Sequence, residues 1–103
     1  MSEAIIFNAS PRPKGNCAAI ASRMEEELAE KGFDVRRVDF RTATIGYCKG
    51  CDACKRHDEP WCVQKDDMGA LLPELDAADC FVMLTPIYWG DITAQAKTFV
   101  DRL

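Results

Sequence analysis

The stretch Ala4-Ile5-Ile6-Phe7-Asn8-Ala9-Ser10-Pro11-Arg12-Pro13-Lys14-Gly15-Asn16-Cys17 restricts the possible folds of this chain more than any other. Apolar residues give way to a short loop of Ser, Pro, Arg, Gly and Asn, and an alanine-rich helical pattern follows. An apolar run bounded by turn residues reads as a buried strand of a parallel sheet. A polar loop between such a strand and a helix lies at the carboxyl end of the strand, where open α/β sheets bind ligands. Backbone N–H groups at the helix start, together with the helix dipole, favour a phosphate there. Ser10, Arg12 and Asn16 can add side-chain donors. The alternative is a plain connecting loop closed by an Asn cap.

Cys17 to Lys31 is expected to be helical, with Ile20, Met24 and Leu28 on one face, the glutamates at 25–27 in solvent and Gly32 as the stop. Phe33 to Phe40 reads as a second strand whose alternation slips at Arg36-Arg37, which predicts a bulge or an edge position. Strand, helix and strand then form a right-handed βαβ unit. Asp39 stands where some dinucleotide folds hold a ribose, but it reads more simply as a solvent-facing strand residue. Asp66-Asp67 caps a helix from Met68 to about Ala77, and Pro73 should kink or split it.

Cys80 to Leu84 is a third buried strand, with Cys80 as a small core residue. Pro86-Ile87-Tyr88-Trp89-Gly90 follows at the same sheet edge as the first loop. Tyr88 and Trp89 offer flat faces suited to a planar ring, and Gly90 permits close backbone approach. Packing of these aromatics on a neighbouring helix or a second subunit is the alternative. Asp91 or Thr93 starts a last helix with Ile92, Ala96, Phe99, Val100 and Leu103 on one face.

A length of 103 residues suits one small domain, and 48% apolar residues are ordinary for a globular protein. A net charge of -4 without a basic stripe argues against nucleic acid as a partner. No apolar run is long enough to span a bilayer, and no signal-peptide pattern opens the chain, so a cytoplasmic protein is expected.

Cys48, Cys51, Cys54 and Cys62 form C-x2-C-x2-C-x7-C inside the long loop from Thr42 to Lys65. Three thiolates spaced two residues apart can converge on one cluster, much as in the first part of a ferredoxin run. Redox-active or simply reduced thiols, and a structural zinc site, are the other readings. His57, the one histidine, sits among charged residues and reads as part of a loop tip. No Ser-His-Asp set, paired-carboxylate site or H-E-x-x-H supports a hydrolase.

Neither G-x-x-x-x-G-K-[ST] nor G-x-G-x-x-G occurs. Ser10-Pro11-Arg12 with Gly15-Asn16 directly after the first strand resembles the flavin loop G-S-P-R-x-x-G-N-T of the NAD(P)H-dependent FMN reductases and iron–sulfur flavoproteins. Ala9 and Cys17 depart from that pattern, and a thiol is a weaker donor to phosphate than the usual hydroxyl. Pro86-Ile87-Tyr88-Trp89-Gly90 resembles the family's P-x-Y-x-G loop, and the cysteine spacing resembles its compact cluster motif. The resemblance runs from Ile5 to Leu103 and covers only the front part of the family fold.

The resemblance implies a flavodoxin-like, three-layer α/β/α parallel sheet with strand order 2-1-3-4-5, here truncated after the third strand and its helix. It implies FMN held by Ser10, Arg12, Gly15, Asn16 and Cys17 at the phosphate and bordered by Pro86, Tyr88, Trp89 and Gly90 at the ring. NAD(P)H is implied as electron donor, and a [4Fe-4S] cluster on Cys48, Cys51, Cys54 and Cys62. The cluster would exchange electrons with a small-molecule or protein partner. An open edge on the third strand predicts association, expected as a homo-oligomer. A cysteine-rich metal-binding or interaction module without flavin, and a thiol-disulfide protein using the C-x2-C pairs, are the competing readings.

Overall fold

The computed structural model describes residues 2–52, 54, 62 and 64–103. Its elements alternate along the chain: β1 (Glu3–Asn8), α1 (Asn16–Glu30), β2 (Asp34–Asp39), α2 (Met68–Ala77), β3 (Cys80–Leu84) and α3 (Ala94–Asp101). The strands form one parallel sheet in the order β2-β1-β3. Both ends of the expected order 2-1-3 are therefore in place, and the fold is the α/β flavodoxin-like arrangement of a short chain.

β1 is the central strand, which explains its unbroken apolar run: Ala4, Ile5, Ile6 and Phe7 are all buried. Ile5 and Phe7 share a core with Met68, Leu71 and Leu72 of α2 and with Ala96 and Phe99 of α3. The Phe7 ring lies 4.6 Å from Phe99 and 5.4 Å from Phe40, centroid to centroid, in tilted pairs. Such pairs contribute about 0.5–1.5 kcal/mol beyond their buried area. The opposite face of β1 carries Ile6 and is covered by α1, so the helices make three layers with the sheet.

α1 meets the sheet through Ala18 and Ala21, and Ile20 is left half exposed. Ile20 was expected on the buried stripe with Met24 and Leu28. Two alanines at i, i+3 let the helix backbone come closer than that stripe would allow. The stop at Gly32 is as expected: its φ is +90°, and Phe33 N–H donates to the Leu28 carbonyl at 3.0 Å, a Schellman closure.

Arg36 and Arg37 produce no bulge. β2 pairs with β1 in unbroken register from Glu3 opposite Asp34 to Asn8 opposite Asp39, and it lies at the sheet edge. Consecutive side chains point to opposite faces, so each arginine clamps a different helix. Arg36 pairs with Glu74 of α2. Arg37 donates to Ser22 at 3.1 Å and Glu25 at 3.2 Å on α1 and bonds Asp39 at 3.3 Å. Burial tends to lower the pKa of Arg37, but Glu25 and Asp39 outweigh it and the pKa is raised.

Pro73 neither splits nor ends α2, which runs as one helix. Burial of Met68, Leu71 and Leu72 in the turns before it outweighs the single backbone bond that proline removes. β3 also departs from expectation. Phe81 is half exposed, and Cys80, Val82 and Leu84 are only partly buried, because nothing among the described residues pairs with the outer edge of this strand. No helix among the described residues is long and apolar enough to cross a membrane.

Candidate functional site

The loop after β1 is built from two consecutive side-chain turns. Asn8 Oδ1 accepts from the Ser10 N–H at 3.1 Å, and Ser10 Oγ accepts from the Arg12 N–H at 3.2 Å. Both are i to i+2 bonds, the turns that Asn and Ser make with their own backbone. Asn8 is buried, and its Nδ2 donates to Asp39 Oδ1 at 3.0 Å. Asp39 is therefore taken up by the sheet's own network with Asn8 and Arg37.

The loop is also pinned from the other side. Ala9 N–H donates to the Leu84 carbonyl at 2.8 Å, continuing the β1–β3 pairing, and the Ala9 carbonyl accepts from Thr93 Oγ1 at 2.9 Å. Thr93, fully buried, is the N-cap of α3 and accepts from the Ala96 N–H at 3.2 Å. Its own N–H donates to Thr85 Oγ1 at 3.1 Å, so one residue ties the first loop, the end of β3 and α3 together.

α1 begins differently. Gly15 is its N-cap and no side chain caps the helix, so the Asn-cap alternative is not what the chain adopts. The first-turn N–H groups are left for an anion. A Cβ on Gly15 would lie 3.3 Å from Arg12 Cβ, a closer approach than side chains ordinarily make, so the glycine lets Arg12 fold against the helix start.

Between this loop and the segment after β3 lies a cavity of about 360 Å³, walled by Ser10, Arg12, Gly15, Asn16 and Cys17 on one side and by Thr85, Pro86, Ile87 and Tyr88 on the other. Seven of the nine residues named from the sequence for a flavin line it, and Trp89 and Gly90 do not. These two form the corner of a tight hairpin. Tyr88 N–H donates to the Asp91 carbonyl at 2.9 Å and Asp91 N–H returns to the Tyr88 carbonyl at 3.0 Å. Trp89 (φ 51°) and Gly90 (φ 74°) are both left-handed, as a type I′ turn requires. The turn, not close approach, accounts for Gly90, since a Cβ there meets nothing within 4 Å. Trp89 holds its left-handed backbone at a cost of about 1–2 kcal/mol and is fully exposed.

The cysteine loop is organised at its base. Thr44 and Asp67 exchange bonds: Asp67 N–H to the Thr44 carbonyl at 3.0 Å and Thr44 N–H to Asp67 Oδ2 at 2.6 Å. Asp66, one residue before the N-cap Asp67, accepts from Met68 N–H at 3.1 Å and from Gly46 N–H at 2.8 Å. Arg102, just after α3, reaches the same place. Its Nη1 donates to Asp66 Oδ2 and to the Gly46 carbonyl, both at 2.7 Å, and its Nη2 donates to Asp66 Oδ1 at 2.9 Å. The Arg102 hydrogen bond outweighs burial and holds the Asp66 carboxyl at about 2. In return the Arg102 pKa is raised, first by its hydrogen bond to Asp66, which outweighs burial, and in smaller part by Cys62.

Cys48, Cys51 and Cys54 are exposed, and Cys62 is half-buried against the core. Four thiols are the right donors for an iron–sulfur cluster, but among the described residues no three Cys, His, Asp or Glu side chains converge on one point. His57 lies outside the described residues.

Sequence reasoning named seven of the nine lining residues, missed Thr85 and Ile87, and did not single out Asn8, Asp66 or Arg102 as site-builders. Asn8 was detectable as an Asx residue two positions before Ser10 at a strand end. Arg102 carried no local signal, since its partners lie 36 and 56 residues away.

Comparison with known proteins agrees with this geometry. Residues 3–103 match the NADPH-dependent FMN reductase family. An iron-sulfur flavoprotein of Archaeoglobus fulgidus is 38% identical over 94 residues, which cover 91% of this chain and 42% of that protein. An iron-sulfur flavoprotein of Methanosarcina thermophila is 35% identical over 96 residues, covering 93% and 49%, and one of Methanocaldococcus jannaschii is 37% identical over 96 residues, covering 93% and 48%. The chain thus spans a little under half the length of these relatives. With the family matched from the first strand to the last helix, this chain belongs to the NADPH-dependent FMN reductase family.

Proposed function

We propose that the chain is the phosphate- and ring-binding front part of an FMN-dependent redox protein that takes electrons from NAD(P)H. The observation that carries this reading is the cavity at the carboxyl ends of β1 and β3, where an uncapped helix start and two loops face one space. Its volume lies within the range of small-molecule sites.

Bound FMN would supply the hydride-accepting and electron-storing chemistry. Ser10, Arg12 and the first-turn N–H groups of α1 bind the phosphate, with Cys17 a weaker donor in the same wall. Pro86 and Tyr88 border the ring, and Trp89 stands beside them on the rigid turn. No carboxylate or histidine is among the lining residues, so the work of this wall is binding and orientation.

The relatives' names include iron–sulfur, and Cys48, Cys51, Cys54 and Cys62 are the candidate ligands here. Among the described residues these side chains do not converge on one point. The edge of β3 that no described residue pairs with, on the strand that carries the half-exposed Phe81, is the surface we assign to association with a second copy or a further strand.

Titration with FMN, read as quenching of flavin and tryptophan emission, tests the reading. Saturable quenching is expected, weakened about tenfold by Ser10→Ala and more by Arg12→Ala, since charge-assisted bonds are the stronger. A chain that gives no saturable quenching does not bind FMN, and the cysteine-rich module without flavin is then the better description.

A further inference from the structure

Thr93 is fully buried, and its hydroxyl does more than a helix cap requires. A cap needs only an oxygen that accepts from the first turn, which Thr93 supplies to the Ala96 N–H at 3.2 Å. The hydroxyl proton goes elsewhere, to the Ala9 carbonyl at 2.9 Å, 84 residues away in the chain. That carbonyl and the Ser10 N–H belong to one peptide plane. Asn8 Oδ1 holds the N–H side at 3.1 Å and Thr93 holds the carbonyl side, so the pair aims the backbone into Ser10. Thr93 also reaches the opposite wall of the cavity. Its N–H donates to Thr85 Oγ1 at 3.1 Å, and the Thr85 hydroxyl donates onward to the Pro86 carbonyl at 2.9 Å. Both hydroxyls donate once and accept once, and together they join the Ser10 side of the cavity to the Pro86 side.

We propose that Thr93 is a positioning residue for flavin binding: it sets the phosphate loop against the ring loop and so gives the site a preference for FMN over riboflavin, which lacks the phosphate. The proposal deepens the FMN reading and rests on it. FMN reaches both walls at once, and the second contact adds to the first only when the span between the walls matches the ligand. Riboflavin needs the ring wall alone. A small turn of the Ala9–Ser10 peptide plane therefore removes the extra affinity for FMN and leaves riboflavin as it was.

The test titrates the wild type, Thr93→Val, Thr93→Ser and Thr85→Val with FMN and, separately, with riboflavin, read as quenching of flavin and tryptophan emission. Amide hydrogen exchange is measured in parallel. The wild type is expected to bind FMN more tightly than riboflavin by about tenfold or more. Thr93→Val keeps the branched shape without the hydroxyl. Its FMN affinity should fall about tenfold, with riboflavin affinity within about twofold of wild type. Exchange at the Ser10 and Ala96 amides should quicken while the Ile6 and Phe7 amides of β1 stay as in wild type. Thr93→Ser returns the hydroxyl and should return the preference. Thr85→Val cuts the same connection at a partly buried residue, should lower the preference in the same direction, and supplies the result if Thr93→Val fails to fold. Equal loss of both flavins in Thr93→Val marks a merely structural residue and overturns the proposal, as does an unchanged preference in that variant or no preference in the wild type. If the wild type binds neither flavin, the FMN reading itself fails, and exchange at Ser10 in Thr93→Val still decides whether Thr93 fixes the loop.

Discussion

The loop after β1 and the loop before α2 are both polar and both carry residues of functional interest, but they are held in opposite ways. The first is ordered by its own short side chains: Asn8 turns the chain onto Ser10, Ser10 turns it onto Arg12, and Thr93 pins the middle. Among the described residues the second has most of its ties at the base, and the decisive one comes from Arg102 in another part of the chain. The first loop is ready for a ligand before one arrives. The second carries three exposed thiols, and its ends are held at Gly46 and Asp66.

Removing Asp66 should break this contrast most severely. Asp66→Ala leaves the buried Arg102 charge without its carboxylate, and a loss of about 3–5 kcal/mol in urea denaturation is expected. The same pair gives a pH signature. Because the Asp66 carboxyl is held at about 2, below its ordinary value of 3.8, its stabilisation is complete above about pH 4 and is lost as pH falls toward 2. A displacement of this size corresponds to about 2 kcal/mol. Asp66→Asn should show a flatter stability profile across that window, and an unchanged slope would mean that the pair is not the source.

Asn8→Ala should act on the other loop. It leaves the Ser10 N–H without its partner and Asp39 with Arg37 alone, at a cost of about 1–3 kcal/mol, and FMN affinity should fall at least tenfold. Hydrogen exchange at Gly46 and Thr44 is expected to stay as in wild type. Quickened exchange there would show that the two loops are not independent.

Trp89→Gly should have the smallest effect on stability, and its sign is reversed. Relieving the left-handed tryptophan is expected to stabilise the fold by about 1 kcal/mol in thermal denaturation. FMN titration of the same variant shows whether the indole contributes to the ring side of the cradle: weaker binding in a more stable protein marks a residue kept for the ligand.

The parts that were legible in the sequence are those whose cause is local. β1 could be read because a strand buried on both faces has no alternation to hide, and the end of α1 because Gly32 supplies the left-handed residue that closes it. Thr93 could be named as a helix start, and Asp66-Asp67 as a cap, from residue type and position. Met24 and Leu28 of the expected face of α1 are half-buried, but Ile20 was misjudged because a large apolar residue was taken to mark burial, whereas Ala18 and Ala21 make the contact by being small. Arg36-Arg37 looked like a fault in a strand because nothing in the sequence showed that a helix lay on each side to receive one of them. The half-exposed β3 and the buried Arg102 depend on which elements become neighbours, and that information is spread over the whole chain.

α3 has one further consequence. Thr93 at its start holds the loop after β1 and Arg102 at its end holds the base of the cysteine loop, nine residues apart. At 1.5 Å and 100° per residue, the helix works as a gauge block of about 14 Å with a set angular offset between its ends. Inserting or deleting a single residue within it would swing one anchor away by more than a quarter turn while every other contact stayed chemically intact. The spacing between the two loops is thus written in a residue count, and this helix tolerates substitution far better than it tolerates a change of length.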